Sequence, residues 1–95
     1  MLSFVWDEEK AAINLEKHDV SFAEAKSVFY DDHARLIADE DNSENEERFL
    51  LLGMSFTPRL LLVCHCYKED DRIVRIISAR KSTRHEAHMY RRLKP

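Results

Sequence analysis

Residues 48–80, RFLLLGMSFTPRLLLVCHCYKEDDRIVRIISAR, decide the fold. They contain three apolar runs of strand length, Arg48–Met54, Arg59–Tyr67 and Arg72–Arg80. Each is rich in Leu, Val or Ile, the composition of pleated, half-buried chain. The short link Ser55 to Pro58 joins the first two, and the polar Glu69-Asp70-Asp71 precedes the third. That spacing predicts consecutive antiparallel strands. In the third run, alternation places Val74, Ile76, Ser78 and Arg80 on one face, with Ile73, Arg75, Ile77 and Ala79 on the other. Arg75 is therefore expected to lie away from Arg80.

Upstream, the polar stretch Asp39–Glu47 reads as a loop and Ala34–Ala38 as a further strand. Ser21-Phe22-Ala23-Glu24 fits a capping box, and Phe22, Ala25, Val28 and Phe29 share one helical face behind it. An earlier helix is predicted from about Glu8 to Glu16. Asp7 is its cap, Glu8 and Glu9 complement its dipole, and Lys17-His18-Asp19 end it. Leu2, Phe4 and Trp6 alternate as a short strand. Downstream, Thr83-Arg84-His85-Glu86 is another capping box, and Glu86, Met89, Tyr90 and Leu93 recur at helical spacing. The order β-α-α-β-β-β-β-α predicts one α+β domain over residues 1–95, with two N-terminal helices packed on an antiparallel sheet and a C-terminal helix.

Composition sets the outer limits. Of 95 residues 44% are hydrophobic, enough for a modest core, and with one Gly and two Pro long flexible linkers are not expected. No run approaches the ~18 apolar residues of a membrane span, so the expected location is the cytoplasm. Net charge is −3, but it is unevenly divided. Residues 1–58 carry 5 basic and 14 acidic side chains; residues 59–95 carry 10 basic and 4 acidic. The basic C-terminal part suits a polyanion or an acidic partner. Cys64 and Cys66 sit two apart on a strand, on one face, too poorly placed for an ordinary disulfide. His65 points the other way, which argues against a metal site built from the three.

Several segments stand at the spacing of a known family: Phe4-x-Trp6-Asp7, Lys10-x-x-x-Asn14, Lys17-His18-x-Val20-Ser21-Phe22-x-Glu24-Ala25, Glu47-Arg48, Gly53 and Arg75-Ile76-Ile77-Ser78-Ala79-Arg80-Lys81, completed by Thr83, Glu86 and Tyr90. In these the chain resembles the BrnT toxins over nearly its whole length. It departs from their usual Lys-His-Gly at Asp19. The resemblance implies a RelE-like fold, a ribonuclease that arrests translation, and a BrnA-type antitoxin with a ribbon-helix-helix DNA-binding part. Toxin and antitoxin, two of each, would then repress their own operon, with operator DNA reached only through the antitoxin.

The residues carry matching chemistry. Cleaving RNA without a metal needs a base for the ribose 2′-OH, a cation for the phosphate and an acid for the departing 5′-oxygen. Histidine is the side chain suited to proton exchange near neutral pH, which makes His18 the candidate. Arg48 and Arg80 can fork onto phosphate oxygens, and Lys17 adds a point charge beside His18. Tyr90 could position RNA or stack on a base, although its helical spacing also fits packing. Lys81 and Arg84 flank Arg80 and are expected to bind RNA. No Gly-rich phosphate loop or Ser-His-Asp signature is present, and neither metal nor cofactor is expected. The rival readings are a catalytically inactive module acting as co-repressor with a DNA-binding antitoxin, and a His/Cys metal-binding domain.

Overall fold

The computed structural model of the chain describes residues 2–43 and 46–93, with side chains to residue 92. The side chain of Leu93, counted above in the terminal helix stripe, lies outside the described set. The strands are β1 (Ser3–Val5), β2 (Arg35–Ala38), β3 (Phe49–Met54), β4 (Leu60–Lys68) and β5 (Ile73–Lys81). The helices are α1 (Glu8–His18), α2 (Phe22–Ser27) and α3 (Arg84–Leu93), with single 3-10 turns at Val28–Tyr30 and Glu40–Asn42.

All five strands form one sheet in the order β1-β5-β4-β3-β2. β2 to β5 are an antiparallel meander. β1 corrects the all-antiparallel expectation, because it pairs parallel to β5 through Ser3↔Ile73, Phe4↔Val74 and Val5↔Arg75. The two helices carry the chain from β1 to the far edge, and the meander returns β5 beside β1 in the same direction. Apolar alternation encodes which side chains face in, but not which way a strand runs.

A second correction concerns β5. Cys64 pairs with Ser78 while His65 pairs with Ile76, so Ile77 is the extra residue of a β-bulge. The bulge reverses the alternation beyond it. Val74, Ile76 and Ala79 all enter the core between the sheet and α1/α2. Arg75, Ser78 and Arg80, in register with Cys66, Cys64 and Leu62, lie together on the opposite face.

The main core packs Phe22, Ala25 and Val28 against Leu51, Val63 and Val74. On the other face Leu52, Leu62 and Tyr90 form a smaller core under α3. Gly53 lets β3 approach the 3-10 turn. A Cβ there would lie 2.8 Å from Val28 Cγ1 and 2.9 Å from Ala34 Cβ, closer than packed carbon atoms tolerate.

The caps are partly as expected. Asp7 Oδ1 accepts the N–H groups of Glu9 and Lys10 at 2.9 and 3.1 Å. The box at Thr83 is complete: the Glu86 N–H donates to Thr83 Oγ1 and the Thr83 N–H to Glu86 Oε1. At Ser21 only half forms. Ser21 Oγ accepts the Glu24 N–H at 3.0 Å, but the Glu24 carboxylate turns to the β3–β4 connection. There it accepts from Arg59 Nε (2.9 Å), Ser55 Oγ (2.7 Å) and Thr57 Oγ1 (2.5 Å). Glu24 is buried, and the Arg59 hydrogen bond brings its carboxyl down to about 2. A permanent guanidinium outcompetes a backbone N–H for a buried carboxylate.

Candidate functional site

The site begins with how α1 ends. Asp19 adopts the left-handed conformation, φ 58° and ψ 36°, and its N–H bonds the Leu15 carbonyl. Asp is among the few non-glycine residues that take this geometry readily. Lys17 and His18 occupy the last turn, where cations complement the dipole.

One turn before His18, Asn14 is buried and fixes the helix to the sheet. Its Nδ2 donates to the carbonyls of Val20 and Ala79, both at 2.9 Å, and its Oδ1 accepts the Ala79 N–H at 3.1 Å. Residues four apart share a helical face. Pinning Asn14 at Ala79 therefore carries His18 to the stretch of β5 that holds Ser78 and Arg80.

His18 and Arg80 line one cleft of about 320 Å³, together with Asp39, Cys64 and Ser78. Leu50 and Leu62 line it as well. The sequence candidates His18 and Arg80 are thus brought together. Lys17 lies in an adjoining cleft of about 200 Å³ that also contains His18. Arg48 does not line the first cleft, but its charge acts on the Cys64 thiol within it. Lys81 is exposed and pairs with Asp19 at 3.9 Å; Arg84 is exposed in the first turn of α3.

Tyr90 is not placed to touch a substrate. It is 3% exposed, packs on Leu52 and Leu62, and donates its hydroxyl to Asp31 Oδ2 at 2.6 Å. Burial, and then the Asp31 carboxylate, push the phenol up to about 12. It fastens α3 to the sheet and offers no ring face to a base.

Arg80 is already engaged. Its Nη1 and Nη2 donate to Glu86 Oε1 and Oε2 at 2.9 and 3.0 Å, and Nη1 also reaches the Lys81 carbonyl at 3.1 Å. This fork raises the Arg80 pKa and lowers that of Glu86. The capping box thus orients the guanidinium and partly neutralises it, rather than leaving both prongs for a phosphate.

Sequence reasoning passed over two features. Arg75 shares the Arg80 face and pairs with Glu46; strict alternation had placed it on the other side. Among the described residues, the Nε atoms of Arg48 and Arg75 are buried and have no hydrogen-bond partner. Asp39, read as the start of the polar Asp39–Glu47 loop, has a carboxylate that accepts weakly from Cys64 Sγ at 3.9 Å. Burial pushes the Cys64 thiol up, so it is a poor nucleophile. Both cysteines are free. Among the described residues, no three His, Cys, Asp or Glu side chains gather to hold a metal, and no helix is long and apolar enough to cross a membrane.

An imidazole and an oriented guanidinium thus share one cleft, with Arg75 on the same sheet face as the guanidinium. Comparison with known families supplies the class, a ribonuclease toxin from a type II toxin–antitoxin system. The family described as "Ribonuclease toxin, BrnT, of type II toxin-antitoxin system" matches residues 6–86, and the chain belongs to it. The fold is similar to that in the 1.1 Å crystal structure of the Brucella abortus ribonuclease toxin BrnT, with a TM-score of 0.66 and 19% identity over 88% of this chain and all of that one. A sequence search of curated proteins finds no match. As a type II toxin, the protein has an antitoxin as its partner.

Proposed function

We propose that this chain acts as one domain, a metal-independent endoribonuclease that arrests translation in the cytoplasm, with His18 and Arg80 at the centre of its site. In the mechanism, the ribose 2′-OH attacks the adjoining phosphorus, a base takes its proton, and the 5′-oxygen leaves with a proton from an acid. His18 is the group that moves protons. Arg80, held in orientation by Glu86, faces the charge that builds on the phosphoryl oxygens, with Arg48 and Lys17 adding positive potential. Lys81 and Arg84 contact the RNA backbone further out. Holding the 2′-oxygen in line with the phosphate supplies much of the rate, since orientation is worth roughly 7–11 kcal/mol.

The observation that carries this reading is that His18 from the helical half and Arg80 from the sheet line the same cleft. The partner in this proposal is a BrnA-type ribbon-helix-helix antitoxin. Two toxins and two antitoxins form the complex that represses the operon.

The test is expression without antitoxin, followed by cleavage of RNA by purified protein in EDTA. Wild type should stop growth and cut RNA with the chelator present, whereas folded His18→Ala and Arg80→Ala variants should do neither. Full growth arrest by both variants removes these roles. One observation favours the second reading, a catalytically inactive co-repressor: the Glu86 fork already occupies Arg80. Wild-type protein that leaves RNA intact, yet tightens antitoxin binding to operator DNA, would establish it.

A further inference from the structure

The cleft of His18 and Arg80 continues past the imidazole. The adjoining cleft shares His18 and Ser78 with it and is otherwise walled by Lys10, Ile13, Asn14, Lys17 and Ile77. Lys10, Asn14 and Lys17 recur four and three residues apart, one stripe of α1. The Asn14 amide is engaged by Val20 and Ala79, so beyond the shared His18 and Ser78 the polar groups left for a ligand are the two ammoniums. Both lysines are exposed, and among the described residues neither forms an ion pair. Between them Ile13 is 58% exposed.

An apolar wall beside unpaired cations suits a nucleotide: the side chain supports the base, and the ammoniums meet the backbone. Seven residues at 1.5 Å per residue set Lys10 and Lys17 about 10 Å apart along the helix axis. Flexible lysine stems can bring that spacing to neighbouring phosphates of one strand.

Resting on the ribonuclease reading above, we propose that this second cleft is the subsite for the nucleotide next to the scissile bond in single-stranded RNA. Lys10 and Lys17 hold its flanking phosphates, and the base lies against Ile13 and Ile77. The shared residues His18 and Ser78 then sit at the junction of the two nucleotides, where the bond is cut.

The experiment uses purified full-length toxin and a 2′-O-methyl oligoribonucleotide, which binds but cannot be cleaved, titrated by fluorescence anisotropy over a range of salt. Lys10→Ala should weaken binding at least threefold near 0.1 M salt and flatten the salt dependence by about 0.7 in log–log slope, the signature of one lost phosphate contact on a single strand. Lys68→Ala, at the end of β4, should leave both unchanged. In cleavage assays Lys10→Ala should raise KM and spare kcat. Wild type that binds and cuts RNA, with Lys10→Ala and Lys17→Ala indistinguishable from it, overturns the subsite and leaves the ribonuclease reading standing. Wild type that neither binds nor cuts removes both.

Discussion

The Asn14 amide pairs with the main chain of Ala79 across 65 residues of sequence, donating to its carbonyl at 2.9 Å and accepting its N–H at 3.1 Å. β1 pairs with β5 only from Ile73 to Arg75. Beyond the bulge, among the described residues, no strand neighbours this edge of β5, and a helical side chain takes the place of one. The same contact sets where α1 ends against the sheet, and hence where His18 stands relative to Arg80.

Replacing Asn14 should therefore affect both stability and activity. Asn14→Ala leaves the Ala79 N–H and two carbonyls without this partner, at about 1–3 kcal/mol for the buried groups. Urea unfolding should report that loss. At temperatures where the variant stays folded, kcat for RNA cleavage should fall at least tenfold, because His18 loses its fixed position. A variant of normal activity would separate Asn14 from the site.

Arg59 tests the staple between α2 and the β3–β4 connection. Glu24 is 5% exposed and receives four hydrogen bonds from Arg59, Ser55 and Thr57. Arg59→Ala strands a buried carboxylate and should cost about 3–5 kcal/mol. Arg59→Ala combined with Glu24→Gln should recover part of it, since the uncompensated charge is then gone. Thermal denaturation of the two variants measures the difference.

How much of this was legible beforehand differs by element. The strands and helices announced themselves, because apolar spacing and the capping residues Asp7, Ser21 and Thr83 act locally. The parallel run of β1 was not legible, since alternation has no direction. Nor was the bulge at Ile77: Arg75-Ile76-Ile77-Ser78 alternates as well with an extra residue as without one, and that single residue moved Arg75 onto the Arg80 face. His18 and Arg80 stood out by chemical type. Asp39 and the role of Glu24 stayed hidden because their partners lie 25 and 35 residues away.

Acid should destabilise the protein over two pH ranges. Burial, only partly offset by a hydrogen bond to the Val63 carbonyl, holds the His65 pKa below its ordinary value of 6.5. The unfolded chain takes up this proton more readily than the native state, so stability falls as pH drops below about 6.5, at up to about 1.4 kcal/mol per pH unit. Glu24 acts later. Its folded pKa of about 2 lies below the ordinary value of 4.5, so its contribution is complete above 4.5 and is lost as pH falls toward 2. That loss amounts to about 3 kcal/mol. Urea midpoints from pH 7.5 to 3 should show the first slope, and His65→Gln should flatten it between pH 6.5 and 5. An unchanged slope in that variant would assign the loss over the first range to other groups.

Glu86 offers the sharpest separation of binding from catalysis, because it both caps α3 and forks onto Arg80. Gln at this position preserves the reach back to the Thr83 N–H, as the capping box allows, and removes the negative charge. Arg80 is then freed to contact a phosphate but loses the carboxylate that fixes its plane. Glu86→Gln should bind uncleavable RNA more tightly, with the salt dependence steeper by about 0.7 in log–log slope for one added phosphate contact. It should also cut more slowly at saturating substrate, because a guanidinium free to rotate stabilises the developing charge less well. Affinity and kcat moving in opposite directions would mark Arg80 as a phosphate ligand whose orientation matters. If neither moves, Arg80 serves only to anchor α3, and the phosphate is held by other groups.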